Sequence, residues 1–434
     1  MARRFISTAT AKFHPSPTTG ARDFVLIYGD EVDTTGNEQN GRSEVVYRTR
    51  TGWVPSNQLG TVHPAELYFI DVGQGDAAFI VTPQGRTILV DGGRGDEAFQ
   101  FLVWKYRLDL PAPSPVDVDL LVLTHTDEDH IGGLARIISH PLIRVGRIVH
   151  SGIARFSAGH FDTELGRTAG TGANTVLLTR YDGMQDLNRT QLTPTLQAWF
   201  DAVSAEPSLT CHAVDSTTAP LSIGDPDVTI HVLGPRLASH PQGPAYPWLG
   251  SPAKTVNGHS VVLRVDIGAV RVLLPGDLNE SGAEYLMEAA AFTTSVGAHV
   301  LKAPHHGSHD FHRPFLAAVR PQVSVVSSGE SPDYGHPRAS FLAATGHASR
   351  SPEPLLFSTE LVAQFTPDPD TTPIGTPEAI DPANAALLTN ARQRFKKKLN
   401  GLINVRTDGS RIFAARRVNA AFQFETYGPS PAAP

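Results

Sequence analysis

The stretch LTHTDEDHIGGL runs from Leu123 to Leu134, and five of its twelve residues (His125, Asp127, Glu128, Asp129 and His130) can titrate or bind a metal. It follows the apolar run DLLVL and precedes a glycine pair, so it reads as the end of a buried strand turning through a tight loop into a helix. Carboxylates crowded at the end of an apolar strand repel one another unless positive charge offsets them, and divalent cations would do so. In such a loop His125 and Asp127 can face one cation while Asp129 and His130 face another.

Working outward, the chain from Glu66 to about Phe365 alternates apolar strand candidates with helical stretches. The strands are LYFIDV, AAFIVT, TILVDGG, DLLVLTH, VTIHVLG, HSVVLRVDI, AVRVLLPGD, AHVLKAP and QVSVVSSG, and VTPQGRTILV reads as a hairpin. Helices are expected over 96–106, 132–140, 191–205, 280–292 and 338–349. Hairpins interrupted by helices predict two mixed sheets flanked by helices rather than one doubly wound parallel sheet. Histidines and aspartates recur at the ends of these strands: His259 before SVVLRVDI, Asp277 in LLPGDL, His305, His306 and His309 in LKAPHHGSHD, and His336 in DYGHP. Strand ends of one sheet converge on one edge, so these residues are expected to share a cleft with the opening stretch.

THTDEDHIGG, followed by GHS, GD and a late histidine, resembles the motif series of the metallo-β-lactamase superfamily. FIDVGQGDAAFIV, ILVDGG, LKAPHHGS and YGHP resemble more narrowly the soluble domain of ComEC-type competence proteins, over roughly residues 65–365. The resemblance implies an α/β fold, the αββα metallo-β-lactamase sandwich, with a site for two divalent metal ions (zinc or manganese) at one edge of the sheets. It implies His125 and Asp127 as ligands of the first metal, Asp129, His130 and His336 as ligands of the second, and Asp277 as the bridging carboxylate. His259 stands where the superfamily often has a third histidine for the first metal, with Asn257 as the competing residue. Asp91 in LVDGG is expected to orient His125 or its loop, and Asp76 in DVGQGD either caps a turn or lies beside the cleft. Asp127 replaces a histidine of the best-known version of the motif, and this harder ligand predicts tolerance of manganese or magnesium at the first site.

The expected activity is metal-dependent hydrolysis of phosphodiester bonds by a nuclease acting on DNA, with metal-bound hydroxide as nucleophile. Asp129, His305 and His306 are the expected catalytic residues, the two histidines stabilising charge and protonating the leaving group. The alternative is a small-molecule phosphodiesterase, similar to phosphorylcholine esterases. Lactam or thioester hydrolysis fits HHGS and YGHP less well.

Outside the central segment, residues 1–62 hold short β-branched runs between turn residues and predict a small β-rich module; TGWVPSNQL resembles the last strands of Src-homology-3-like barrels, which implies a protein or peptide partner. The catalytic segment is expected over 63–366, and 367–434 as a linker, a basic amphipathic helix and a C-terminal strand, GSRIFAARR. Nine Lys/Arg against one acid between Ala391 and Arg417 could follow a nucleic-acid backbone, although the whole chain has a net charge of −7. A single cysteine, Cys211, excludes an internal disulfide. The basic N-terminus lacks an apolar secretion core, and no run is long enough to cross a bilayer, so a cytoplasmic location is expected.

Overall fold

The computed structural model describes residues 1–109, 113–329, 335–360, 401–417 and 423–433. Its centre is a pair of facing sheets. The larger has nine strands in the order Thr210–Ala213, Arg147–His150, Leu120–Leu123, Thr87–Val90, Ala78–Val81, Ala65–Phe69, Ile403–Thr407, Arg411–Arg417, Phe424–Pro431. The smaller has six, in the order Val228–Gly234, Val262–Ile267, Val270–Leu274, Val300–Lys302, Val323–Val326, Leu355–Ser358.

Side-chain alternation along the strands builds the layers. Ile88, Val90, Leu120 and Val122 point at the smaller sheet, where Leu263, Val265, Val272 and Val300 meet them and fill the space between the sheets. Their neighbours Leu89, Leu121 and Leu123 point the other way, onto the helices Glu97–Tyr106, Leu134–Ile138 and Pro194–Ser204 through Phe101, Leu102, Ile137 and Trp199. On the far side, Leu273, Leu301 and Val326 pack on the helices Glu280–Met287, Arg313–Val319 and Ala339–Ala348. Strands buried on both faces must be apolar throughout, which is why Leu120–Leu123 reads as an unbroken run. The result is the expected mixed α/β sandwich with helices on both outer faces. Among the described residues no helix is long and apolar enough to cross a membrane.

Strands Thr87–Val90, Leu120–Leu123 and Arg147–His150 run parallel, as do Val270–Leu274, Val300–Lys302 and Val323–Val326. Their C-terminal ends deliver Asp91, His125, Asp277 and the 304–307 turn, and such ends are where open α/β sheets bind ligands. The predicted hairpin forms, with Val81 opposite Thr87. The predicted helix over 280–292 is instead two, Glu280–Met287 and Ala290–Ser295.

The N-terminal segment is β-rich as expected: a five-stranded sheet, Arg50–Pro55, Arg42–Tyr47, Glu31–Gln39, Ala2–Ile6, Leu59–Gly60, with the hairpin Thr10–Phe13/Phe24–Ile27 folded over a small core of Ile6, Phe13, Leu26, Val32, Val45 and Val54. It rests on the end of the larger sheet, where Tyr28 meets Phe413 (ring centroids 5.6 Å apart) and the buried Arg406 donates to Asp30 (2.9 Å) and to the Tyr28 carbonyl. The C-terminal segment contributes three strands to the sheet itself, Ile403–Thr407 pairing antiparallel with Ala65–Phe69. The expected basic helix and its linker fall within 361–400, outside the described residues. Of the nine basic residues noted there, Arg406, Arg411 and Arg416 are committed to Asp30, Asp408 and Glu425. The five from Arg392 to Lys398 lie outside the described residues.

Candidate metal centre

Strand Leu120–Leu123 ends at Thr124 and His125, and the chain re-enters a short helix, Glu128–Ile131, at Asp127. The glycines that follow have a steric reason. A Cβ on Gly133 would collide with the carbonyl oxygens of Gly92 and Gly95, so the helix can only sit against the 91–95 loop without one. Gly75 has a φ of +125° and lies against the Asp129 carbonyl, which accepts from the Asp76 amide (3.1 Å). DVGQGD is thereby fixed to the opening motif, and Asp76 is carried into the cleft.

Four buried side chains, Asp76, His130, Asp277 and His306, place ligand atoms within 4.8 Å of one another. His130 Nε2 lies 3.3 Å from Asp277 Oδ1, and His306 Nε2 lies 3.1 Å from Asp277 Oδ2 and 3.4 Å from Asp129 Oδ2. The Lys302 ammonium is buried against Asp76, donates to the Gly276 carbonyl (3.1 Å), and stands 3.6 Å from Asp277. Burial pulls the imidazole of His130 down, but the carboxylates of Asp277 and Asp91 hold it well above the usual histidine range. The same balance raises His306, through Asp277 and Asp76. Burial pushes the Asp277 carboxyl up, and His306 with His130 overrides it and holds the group well below the usual range.

The outer hydrogen bonds fix which imidazole nitrogen faces the cluster. His130 Nδ1 donates to Asp91 Oδ2 (2.8 Å), and Asp91 also accepts from the Thr124 amide (2.8 Å) and hydroxyl (2.7 Å). His125 Nδ1 donates to Thr124 Oγ1 (3.0 Å), and His306 Nδ1 donates to the Ser327 carbonyl (3.0 Å). In all three rings Nε2 is buried without a hydrogen-bond partner, as is Asp277 Oδ1. Carboxylate- or carbonyl-anchored imidazoles that point their other nitrogen at a shared carboxylate are the arrangement metal sites use, and the residues present fit a divalent cation.

The sequence-predicted residues divide in four. His125, His130, Asp129 and Asp277 converge, their neighbours including His306; the His125 and His130 rings are 4.0 Å apart. His336 stands beside them, its ring 6.3 Å from that of His306 and 6.0 Å from that of His305. Asp127 lies at the rim, where Arg155 grips its Oδ1 with Nε (2.8 Å) and Nη2 (2.6 Å); its Oδ2 is 3.9 Å from His125 Nε2. His259 is turned away: it ends the helix Pro252–Gly258, its Nε2 donates to the Pro247 carbonyl (2.8 Å), and its ring lies between Tyr246 and Tyr285. That is a correction, and its cause is the helix end, which gives Asn257 the inward position: Asn257 Nδ2 donates to His305 Nε2 (3.4 Å).

His305 and His306 also separate. Both adopt left-handed backbone, φ 47° and 53°, a conformation costing roughly 1–3 kcal/mol per non-glycine residue. The turn sends His306 into the carboxylate cluster and leaves His305 beside it, with Nδ1 buried and unpartnered. Sequence reasoning leaves Asp76 undecided and misses Lys302 as a member of the site; DVGQGD and LKAP are visible, but their meeting needs the two sheets to face each other.

A family model described as the metallo-beta-lactamase superfamily matches residues 70–330. Among curated proteins, ComE operon protein 3 of Bacillus subtilis (strain 168) is 24% identical over 291 residues, covering 64% of this chain and 30% of that protein. Competence protein ComA of Neisseria gonorrhoeae is 40% identical over 82 residues, 19% of this chain and 12% of that protein. The chain thus spans 30% or less of the length of these curated relatives. Among solved structures, CmlA, a diiron beta-hydroxylase from Streptomyces venezuelae, superposes with a TM-score of 0.35 at 16% identity, covering 69% of this chain and 54% of that one.

Proposed function

The chain belongs to the metallo-β-lactamase superfamily, and from that premise we propose that it is a metal-dependent hydrolase that cleaves phosphodiester bonds in DNA. The observation that carries the reading is the buried cluster of Asp76, His130, Asp277 and His306, with His125 and Asp129 beside it and imidazole Nε2 atoms aimed inward. A DNA substrate is supported by the two relatives, one of them named as a competence protein and the other for the ComE operon.

Under this proposal His125, His130, His306, Asp76, Asp129 and Asp277 hold divalent metal, zinc or manganese, with His336 completing the set from the far side. The metal supplies activation of water and neutralises charge developing on the phosphate. The remaining work falls to the chain. Asp91 and Thr124 engage the Nδ1 protons of His130 and His125, so Nε2 is the nitrogen each ring would offer to metal, His130 giving up its Nε2 proton to do so. Lys302 offsets the charge of Asp76, so the cluster tolerates that carboxylate beside Asp277. His305 carries its proton on Nδ1, because Nε2 accepts from Asn257, and that N–H can donate a hydrogen bond to the leaving oxygen or to a phosphate oxygen. His306 thereby moves from the catalytic pair expected from sequence to the ligand set.

The test uses the purified full chain with double-stranded DNA, single-stranded DNA and bis(p-nitrophenyl) phosphate, each with manganese or zinc. DNA cleavage is expected, and Asp277→Asn is expected to abolish it. Hydrolysis of the small diester with no cleavage of either DNA under either metal would refute the DNA reading and favour a small-molecule phosphodiesterase.

A further inference from the structure

A second pocket lies at the seam where the N-terminal module meets the larger sheet, and it shares no residue with the metal cluster. Its volume, about 430 Å³, is within the range of small-molecule sites. The floor is the outer face of strands Ala65–Phe69 and Ile403–Thr407, presenting Tyr68, Asn404 and Arg406. One wall comes from the module, with Phe24, Arg48 and Arg50, and the other from the helix Glu97–Tyr106 and the residue after it, with Trp104 and Arg107.

Two features of this pocket have no structural explanation. Asn404 is only 2% exposed, yet its Oδ1 has no hydrogen-bond partner, and no described residue bonds its amide nitrogen. Leaving a buried amide oxygen unpaired is unfavourable, so Asn404 Oδ1 calls for a donor, and its amide nitrogen is open to an acceptor. Arg406 shows the same lack at Nε, although its terminal nitrogens are satisfied by Asp30 and the Tyr28 carbonyl. The second feature is the pair Arg48 and Arg50. Neither forms an ion pair with a carboxylate among the described residues. Arg48 lies over the Trp104 ring (4.3 Å to the centroid) and donates to the Trp104 carbonyl (3.0 Å), and Arg50 lies over Phe24 (5.6 Å). Asp23 is the one lining acid not paired with an arginine among the described residues, so the mouth keeps net positive charge.

We propose that this pocket binds one nucleotide unit. An asparagine amide with donor and acceptor both open matches the edge of an adenine. The flat guanidinium faces that cover Trp104 and Phe24 can stack on a base. Arg48 and Arg50, with no carboxylate bound to them, take the phosphate. No single part of this set needs a nucleotide, but a planar base carrying a phosphate answers all three.

Binding is measured by isothermal titration of the full chain in chelator, so that metal and cleavage play no part and the result stands apart from the proposed hydrolysis. The probes are adenosine monophosphate, ribose 5-phosphate, inorganic phosphate and a short deoxyadenosine oligonucleotide. Adenosine monophosphate is expected to bind one site per chain at least about tenfold tighter than ribose 5-phosphate, and Arg48→Gln or Arg50→Gln to weaken it about tenfold each. Asn404→Ala is expected to remove the preference over ribose 5-phosphate. Tight binding of the oligonucleotide alone, with the same sensitivity to all three substitutions, assigns the pocket to a nucleotide within a strand. The proposal is overturned if neither adenine probe binds more tightly than phosphate, or if the arginine variants bind as the parent does.

Discussion

Asp91→Asn should cost the protein its grip on metal more than its fold. Asp91 is buried with a φ of +59°, a backbone region that asparagine tolerates well, so the substitution keeps shape and conformation. What changes is the hydrogen-bond pattern. The carboxylate accepts from the Thr124 amide, the Thr124 hydroxyl and His130 Nδ1, all three at 2.7–2.8 Å. An asparagine must keep its oxygen on the Thr124 amide, which can only donate, and so presents its NH2 to the hydroxyl and to His130. The hydroxyl can rotate to accept. His130 can accept only by moving its proton to Nε2, the nitrogen that faces Asp277. Loss of such an outer partner lowers metal affinity about 10–100-fold, and one impaired buried hydrogen bond lowers stability by about 1–3 kcal/mol. Metal affinity is read by competition with a chromophoric chelator, and stability by urea unfolding of the metal-free protein. Affinity within about twofold of the parent, in a variant that unfolds as predicted, would refute the tautomer argument.

Asp127→Asn should leave metal bound, because Arg155 rather than the cluster holds that carboxylate, while lowering stability by about 1–3 kcal/mol through the weakened ion pair; elemental analysis showing less metal in a folded variant would count against this. His259→Gln should likewise keep its metal, since His259 Nε2 is spent on the Pro247 carbonyl, and a metal-poor, folded His259→Gln protein would restore His259 as a ligand. Leu121→Ala, in the middle of a strand buried on both faces, should cost about 2–5 kcal/mol in urea unfolding, and a loss below about 1 kcal/mol would mean the layer above it repacks. Burial pushes Glu66 up, but Lys105, His63 and Arg406 hold it well below the usual carboxylate range. A depressed folded value contributes stability above the unfolded value of about 4.3 and loses it as pH falls further, so the parent should lose more stability than Glu66→Gln between pH 5 and pH 3; equal losses would show that the carboxylate is not held ionised.

What can be read from the sequence is what lies close along the chain. His125, Asp129 and His130 share one loop at the end of one apolar strand, and that strand, its neighbours and the sandwich they imply all form. Asp76 is ambiguous and Lys302 silent because their partnership crosses between sheets: an aspartate in a glycine turn and a lysine ending an apolar strand each have an ordinary local reading. His259 is misplaced for the opposite reason, since its motif position says nothing about the helix end that rotates it onto Pro247. Strand Thr210–Ala213 gives no signal, being an edge strand with exposed Thr210 and His212. The arginines of 406–416 look like a surface charge run because the acids that consume two of them, Asp30 and Glu425, lie in other elements.

The seam between Ala65–Phe69 and Ile403–Thr407 sets an order of events during synthesis. Phe69 pairs with Ile403 and Ala65 with Thr407, so a chain emerging from the ribosome N-terminus first holds the early strand ready long before its neighbour exists. Until then the nascent sheet offers open amides and carbonyls to any other extended chain. Glu66, near the start of that strand and gripped by Lys105 at 2.8 Å, places charge where a stray strand would have to dock. A message truncated before residue 403 would yield a sheet lacking the partner of Ala65–Phe69, and such an open edge is a template for aggregation.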